Sequence, residues 1–210
     1  MDSHPDPKWR TIGAWALIIG PVQFVAAMAL EEALRPGYSP ISNVISDLGV
    51  GSYSIIFNSS VMLLGLLTIF GIAFMQVEFP RNLGAGLGYL TLILVGFGAI
   101  GVGTFPEDHP VPHFLSALVA FLGAGLALLF YSMSFRRDLR WSRFTIPTFV
   151  GGLFTLASIY LYVSSVLGKD VTGLTERCIV VPILIWAPAV GMTILATRNS
   201  ASVSDSPDED

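Results

Sequence analysis

Six apolar runs of roughly 20 residues, separated by short polar stretches, take up most of this chain. That length is what a helix needs to cross ~30 Å of hydrocarbon. The runs lie at 11–30, 54–77, 83–103, 113–134, 144–167 and 175–197. Charged residues make up 12% of the chain, about half the ~25% of an ordinary soluble domain. The expected fold is therefore all-α: a bundle of six transmembrane helices over 11–198. A short cytoplasmic segment (1–10) precedes it, and an acidic tail (199–210) with no apolar residue after Val203 is expected to be disordered. No stretch remains for a separate soluble catalytic domain.

The first run is too long for a signal-peptide core and reads as an uncleaved helix. Basic residues set the orientation. Lys8, Arg10, Arg81, Arg136, Arg137, Arg140, Arg143 and Arg198 fall on one side, against Arg35, Lys169 and Arg177 on the other. This places the protein in the cell membrane with both termini cytoplasmic. The loops 31–53, 104–112 and 168–174 then face outward. The basic 136–143 loop reads as a topology anchor beside anionic lipid heads.

Cys178 is the only cysteine, which excludes an internal disulfide and a multi-cysteine metal site. No nucleophile elbow, phosphate loop or zincin motif occurs. No basic, aromatic stripe suggests nucleic acid as a partner. The third run is rich in glycine and includes Gly84 and Gly88 at GxxxG spacing. Small residues let helix backbones approach in lipid. This helix is expected to be central to the bundle, or alternatively to form a homodimer seam. Pro21, Pro182 and Pro188 are expected to bend their helices.

Most of the unusual polar chemistry lies in the outward loops. Ser39, Ser42, Asn43, Ser46 and Asp47 follow helical spacing, with Ile41, Val44, Ile45 and Leu48 opposite. With Ser39 as N-cap, Pro40 at the first position and Gly49 after the end, the pattern predicts a short amphipathic helix over 40–48. Its polar face either meets water or folds over the bundle mouth. The stretch 104–113 holds Glu107, Asp108, His109 and His113 among three prolines. Pro112 is expected to begin helix four, which puts His113 in a first turn whose dipole favours neutral imidazole. Such an imidazole can take a proton or bind a metal. His109, His113, Glu107 and Asp47 can supply a zinc ligand set if their loops converge. Glu176 and Arg177 open helix six. Arg177 lies at the edge of the apolar zone, so Asp47, Glu107 or Glu176 is its expected partner if it faces inward. It then has the fork to hold a carboxylate or phosphate.

The string Tyr38-Ser39-Pro40-Ile41-Ser42-Asn43-Val44-Ile45-Ser46-Asp47-Leu48-Gly49 resembles the characteristic string of a prokaryotic membrane family, domain of unknown function 998. Gly103-Thr104-Phe105-Pro106-Glu107 with His113, and Glu176-Arg177 ahead of Pro182, fit it too. The resemblance covers most of the chain and implies six membrane helices without a known activity. A second resemblance is to membrane hydrolases of the alkaline-ceramidase type, which use a serine, an aspartate and three zinc-binding histidines at one membrane face. It implies such parts for Ser42 or Ser46, Asp47, His109 and His113, with zinc as cofactor. A third histidine near the site is missing.

Two classes of function stand open at this point. In one, the chain is an enzyme acting on a membrane lipid, with Asp47 and His113 in acid–base roles. Glu107 then orients the histidine, and Arg177 holds an anionic head group with Asn43, Ser39 and Glu176 nearby. In the other, it is a small-solute binding or transport protein, or a structural membrane protein that regulates a partner. Ionisable residues are almost lacking near mid-membrane, which argues against a transmembrane route.

Overall fold

The computed structural model describes residues 7–204. Six long helices carry the fold: α1 (Pro7–Leu34), α2 (Ser54–Met75), α3 (Leu83–Thr104), α4 (Pro110–Phe135), α5 (Thr145–Ser164) and α6 (Thr172–Ser204). Each is long and apolar enough to cross a membrane. The N-terminal segment 1–10 thus enters α1 at Pro7, and residues 1–6 lie outside the described residues. α6 runs into the tail segment, whose residues 205–210 also lie outside them.

Each helix packs on its chain neighbour, and α6 returns to pack on α1. The result is an up-and-down ring, with α4 touching α6 across its middle. Large apolar side chains such as Ile55, Phe97, Ile146, Val163 and Ile185 are exposed around the ring. A water-soluble monomer rarely presents such a surface, whereas hydrocarbon is matched by it. The chain is a multi-pass membrane protein.

α3 takes an ordinary place in this ring, between α2 and α4. A Cβ on Gly84 would lie 2.8 Å from the Phe130 carbonyl oxygen, and one on Gly88 would lie 2.7 Å from the Tyr131 ring. The GxxxG pair therefore packs on α4 within the chain. Gln23 joins α1 to α2: its amide donates to the Ser60 carbonyl at 3.0 Å and accepts from the Ser60 hydroxyl at 2.8 Å. α6 stays helical through Pro182 and Pro188. One turn before Pro182, the buried Thr155 hydroxyl donates to the Ile179 carbonyl at 3.2 Å.

The arginine-rich end is closed. Phe79, Tyr131, Phe135, Trp141 and Trp186 pack their rings together at centroid separations of 4.8–6.5 Å. Glu78 holds Arg10 at 3.0 Å and Arg140 at 2.7 Å, and its carbonyl accepts from the Trp141 indole at 2.9 Å. Arg140 is thus an internal tie. Only part of the 136–143 loop, Arg136 and Arg137 included, stands free as an anchor does.

The opposite end departs from expectation. Residues 40–48 do not form one helix: a turn at Pro40–Asn43 leads into a 3-10 helix at Ile45–Gly49. An α-helix would join the Ile45 N–H to the Ile41 carbonyl. Here that N–H donates to the Glu176 carboxylate, and the Ile41 carbonyl accepts from the Leu174 N–H at 2.9 Å. α6 has taken both halves of the bond. Ser39 is not a side-chain cap; Asn43 closes the turn, its Oδ1 accepting from the Ser39 N–H at 3.0 Å. Helix four begins at Pro110 rather than Pro112, with His109 as N-cap. Both prolines fall in the first turn, where a missing N–H leaves no helical bond unmade.

Candidate functional site

The segment from Arg35 to Val50 folds down over the end of the ring as a lid. Its apolar residues Ile45 and Leu48 are buried with Phe24, Phe57, Val61, Ala99 and Val102. Its backbone is held from below by α6. Arg177 donates to the Asn43 and Gly173 carbonyls at 3.0 Å each, to Glu32 at 2.5 Å and to the Tyr38 hydroxyl at 2.8 Å. Tyr38 donates in turn to the Val44 carbonyl at 2.8 Å. Burial holds the Tyr38 phenol above its ordinary pKa, against the pull of Arg177, so it remains a donor. Arg35 reaches the Asp47 carbonyl, and Asn58 donates to the Gly49 carbonyl at 2.9 Å.

Arg177 does face inward, but its partner is Glu32 at the end of α1, not Asp47, Glu107 or Glu176. Its terminal nitrogens are occupied by protein acceptors, which removes the fork expected for an anionic head group. Glu31 beside it is 1% exposed and accepts from the Phe57 N–H in the first turn of α2 at 3.0 Å. Sequence reasoning assigned no role to Glu31, Glu32 or Tyr38. Two adjacent acids at an interfacial helix end were the available signal.

Other candidates do converge. Ser46 is buried and donates to Glu107 at 2.5 Å, joining the lid to the α3–α4 loop. Glu176 is buried beneath the lid, 3% exposed. Its carboxylate feels Glu107 and Asp47 electrostatically, as does the Tyr162 hydroxyl on α5. The His113 Nδ1 lies 2.8 Å from the Phe105 carbonyl. A carbonyl only accepts, so Nδ1 is the donor in this bond and Nε2 is the nitrogen left to act elsewhere. Phe105, not Glu107, orients this histidine.

Ser46, His113 and Glu176 share one end of a cavity of about 90 Å³ inside the ring. That is several times the room one water needs. Apart from these three, the walls are apolar and include Phe24, Leu64, Ala99, Phe121 and Leu184. A second space of about 50 Å³ shares Leu64, Val95, Ala99, Ile183 and Leu184 with the first and extends to Leu17, Leu92 and Trp186. The two spaces are adjacent, the first beneath the lid and the second against Trp186 of the aromatic cluster.

The remaining candidates stay outside this mouth. Asp47 accepts from the Asn43 amide at 3.1 Å within the lid. Ser42 is exposed, and Ser39 belongs to the turn. His109 is exposed, paired with Asp108 at 2.9 Å. Among the described residues, no group of three or more His, Cys, Asp or Glu is placed to hold a metal ion. His109 is turned to Asp108 and His113 to Phe105, so the zinc ligand set does not assemble.

The model of a family described as protein of unknown function (DUF998) matches residues 18–193. No curated protein and no solved structure matches the chain.

Proposed function

Because this chain belongs to the DUF998 family of proteins of unknown function, its activity is read from its own geometry, and we propose a membrane enzyme that hydrolyses or transfers an acyl group of a lipid. The single observation that carries this reading is the apolar cavity beneath the lid, whose only polar wall residues are Ser46, His113 and Glu176. An apolar chain fits the walls, and the bond to be cleaved then sits among Ser46, Glu107 and His113. Glu107 takes the Ser46 proton as Oγ attacks an ester carbonyl. It returns that proton to the alkoxide as the ester C–O bond breaks, so that an alcohol leaves and the acyl group stays on Ser46. His113, its Nδ1 held by Phe105, offers Nε2 as the base for the water that releases the acyl group. The excess of basic residues at the other end supports an outer-face mouth with both termini cytoplasmic. The aromatic cluster beneath the cavity disfavours a solute route through the ring.

The test is the full-length protein in nanodiscs, incubated with ester-linked phospholipids and glycolipids, with products read by mass spectrometry. Release of fatty acid by the wild type, lost in Ser46→Ala, Glu107→Gln and His113→Ala, is expected. A lipid that co-purifies unaltered, with no product from any ester, would replace the enzyme by a lipid-binding protein. Equal turnover by wild type and His113→Ala would remove the proposed chemistry.

A further inference from the structure

A second feature lies at the arginine-rich end, on the lipid-facing side of the ring. A groove of about 400 Å³ runs between the start of α3 and the end of α4. Leu83, Leu87, Phe130 and Met133 form its apolar walls, and Arg136 and Arg137 stand at its rim. Leu83 is 78% exposed and Met133 65% exposed, so the groove opens towards the surrounding hydrocarbon. Neither Arg136 nor Arg137 pairs with a carboxylate among the described residues. This sets them apart from Arg10 and Arg140 at the same end, which share Glu78.

The groove also receives the N-terminus of a 22-residue helix. Asn82 caps it by accepting from the Ala85 N–H at 3.0 Å, but the amides of Leu83 and Gly84 have no acceptor within the helix. Positive potential gathers at such an end. An independent observation points the same way. Ser134 lines the groove, is 4% exposed, and its hydroxyl has no hydrogen-bond partner among the described residues. A buried hydroxyl left unmatched costs free energy that an incoming acceptor would recover. The Asn82 amide holds the Ser134 carbonyl at 3.2 Å, fixing the two helix ends together.

We propose that this groove binds one anionic phospholipid, its phosphate held by Arg136, Arg137, Ser134 and the α3 amides and its acyl chains laid along Leu83, Leu87 and Met133. Charge complementarity selects the head, and the apolar walls open to hydrocarbon select a lipid over a soluble phosphate. The site is independent of the chemistry proposed at the opposite end.

The experiment uses the full-length chain in neutral detergent, with phosphatidylglycerol or phosphatidylcholine added and retention read by native mass spectrometry. Phosphatidylglycerol is expected to be retained roughly tenfold or more over phosphatidylcholine, since each interfacial arginine contributes severalfold. The double variant Arg136→Gln/Arg137→Gln brings the two lipids level. Ser134→Ala lowers phosphatidylglycerol retention several-fold. Arg81→Gln, exposed at the same end but outside the groove, leaves it unchanged. Substitution at exposed arginines does not threaten folding. Equal retention of the two lipids by the wild type overturns the proposal, as does a loss in Arg81→Gln equal to that in the double variant. Displacement by glycerol phosphate at equal concentration would make this a small-anion site and overturn the lipid assignment.

Discussion

The Ile45 N–H donates to the Glu176 carboxylate, so a residue of the first loop is bonded directly to the buried start of the last helix. Together with the Leu174 N–H on the Ile41 carbonyl, it fastens the lid at two successive points. The mouth residue Ser46 is therefore positioned by α6, although it is far from α6 in sequence.

One prediction concerns Glu107. A glutamine there can still accept the Ser46 hydrogen bond, so Glu107→Gln should fold with unfolding temperature close to wild type. It cannot take the serine proton. Lipid turnover in nanodiscs should fall about 10²-fold or more. Turnover at the wild-type rate would exclude Glu107 as the base.

The Arg177–Glu32 pair is mostly buried, and its two members tie α6 to α1. Arg177→Met leaves Glu32 unmatched and frees the Asn43 and Gly173 carbonyls. A loss of roughly 1–3 kcal/mol in detergent unfolding is expected. Arg177→Lys should recover only part of it, because an ammonium cannot reproduce the fork. A double variant with Glu32→Gln should cost less than the sum of the single changes, and strict additivity would mean the pair is not coupled.

Gly173 gives a prediction of unusual sign. Alanine in place of glycine normally favours a helix by roughly 1 kcal/mol. Here a Cβ would overlap the Asn43 carbonyl oxygen and lie 2.9 Å from that of Pro40. Gly173→Ala should lower stability and expose the lid to protease between Arg35 and Val50. Limited proteolysis in detergent reads this directly, with Gly86→Ala, which meets nothing within 4 Å, as the comparison.

Tyr38 sets an alkaline limit. Its folded-state pKa is raised by burial, so the folded chain holds the phenol proton more tightly than the unfolded one. That contribution is complete below the ordinary tyrosine value near 10 and is lost as pH rises through the higher folded value. Unfolding temperature should therefore decline more steeply above about pH 10 in wild type than in Tyr38→Phe. Parallel alkaline limbs would show that Tyr38 is not responsible.

The six helices were legible because hydropathy over ~20 residues is a local property that lipid converts into structure without further instruction. The lid was not. Ser39 to Leu48 carries helical spacing, but three of its carbonyls find donors on α6 or Tyr38: Ile41 with Leu174, Asn43 with Arg177, and Val44 with Tyr38. Tertiary bonds outcompeted a local pattern. The candidate site was half legible. Ser46, Glu107, His113 and Glu176 were recognisable as polar residues at loop ends. That Ser46 meets Glu107 while Asp47 turns to Asn43 depends on a one-residue change of direction within a 3-10 turn, which spacing does not encode.

The aromatic cluster bears on substrate length. Trp186 lines the second space, its indole N–H donating to the Thr148 hydroxyl at 3.1 Å and its ring packed on Tyr131. A chamber with a fixed floor acts as a gauge: a chain whose reactive end must reach Ser46 can be no longer than the depth below it. Trp186→Phe should deepen the gauge, and the preferred acyl chain, read from released fatty acids, should lengthen while the chemistry at the mouth is unchanged.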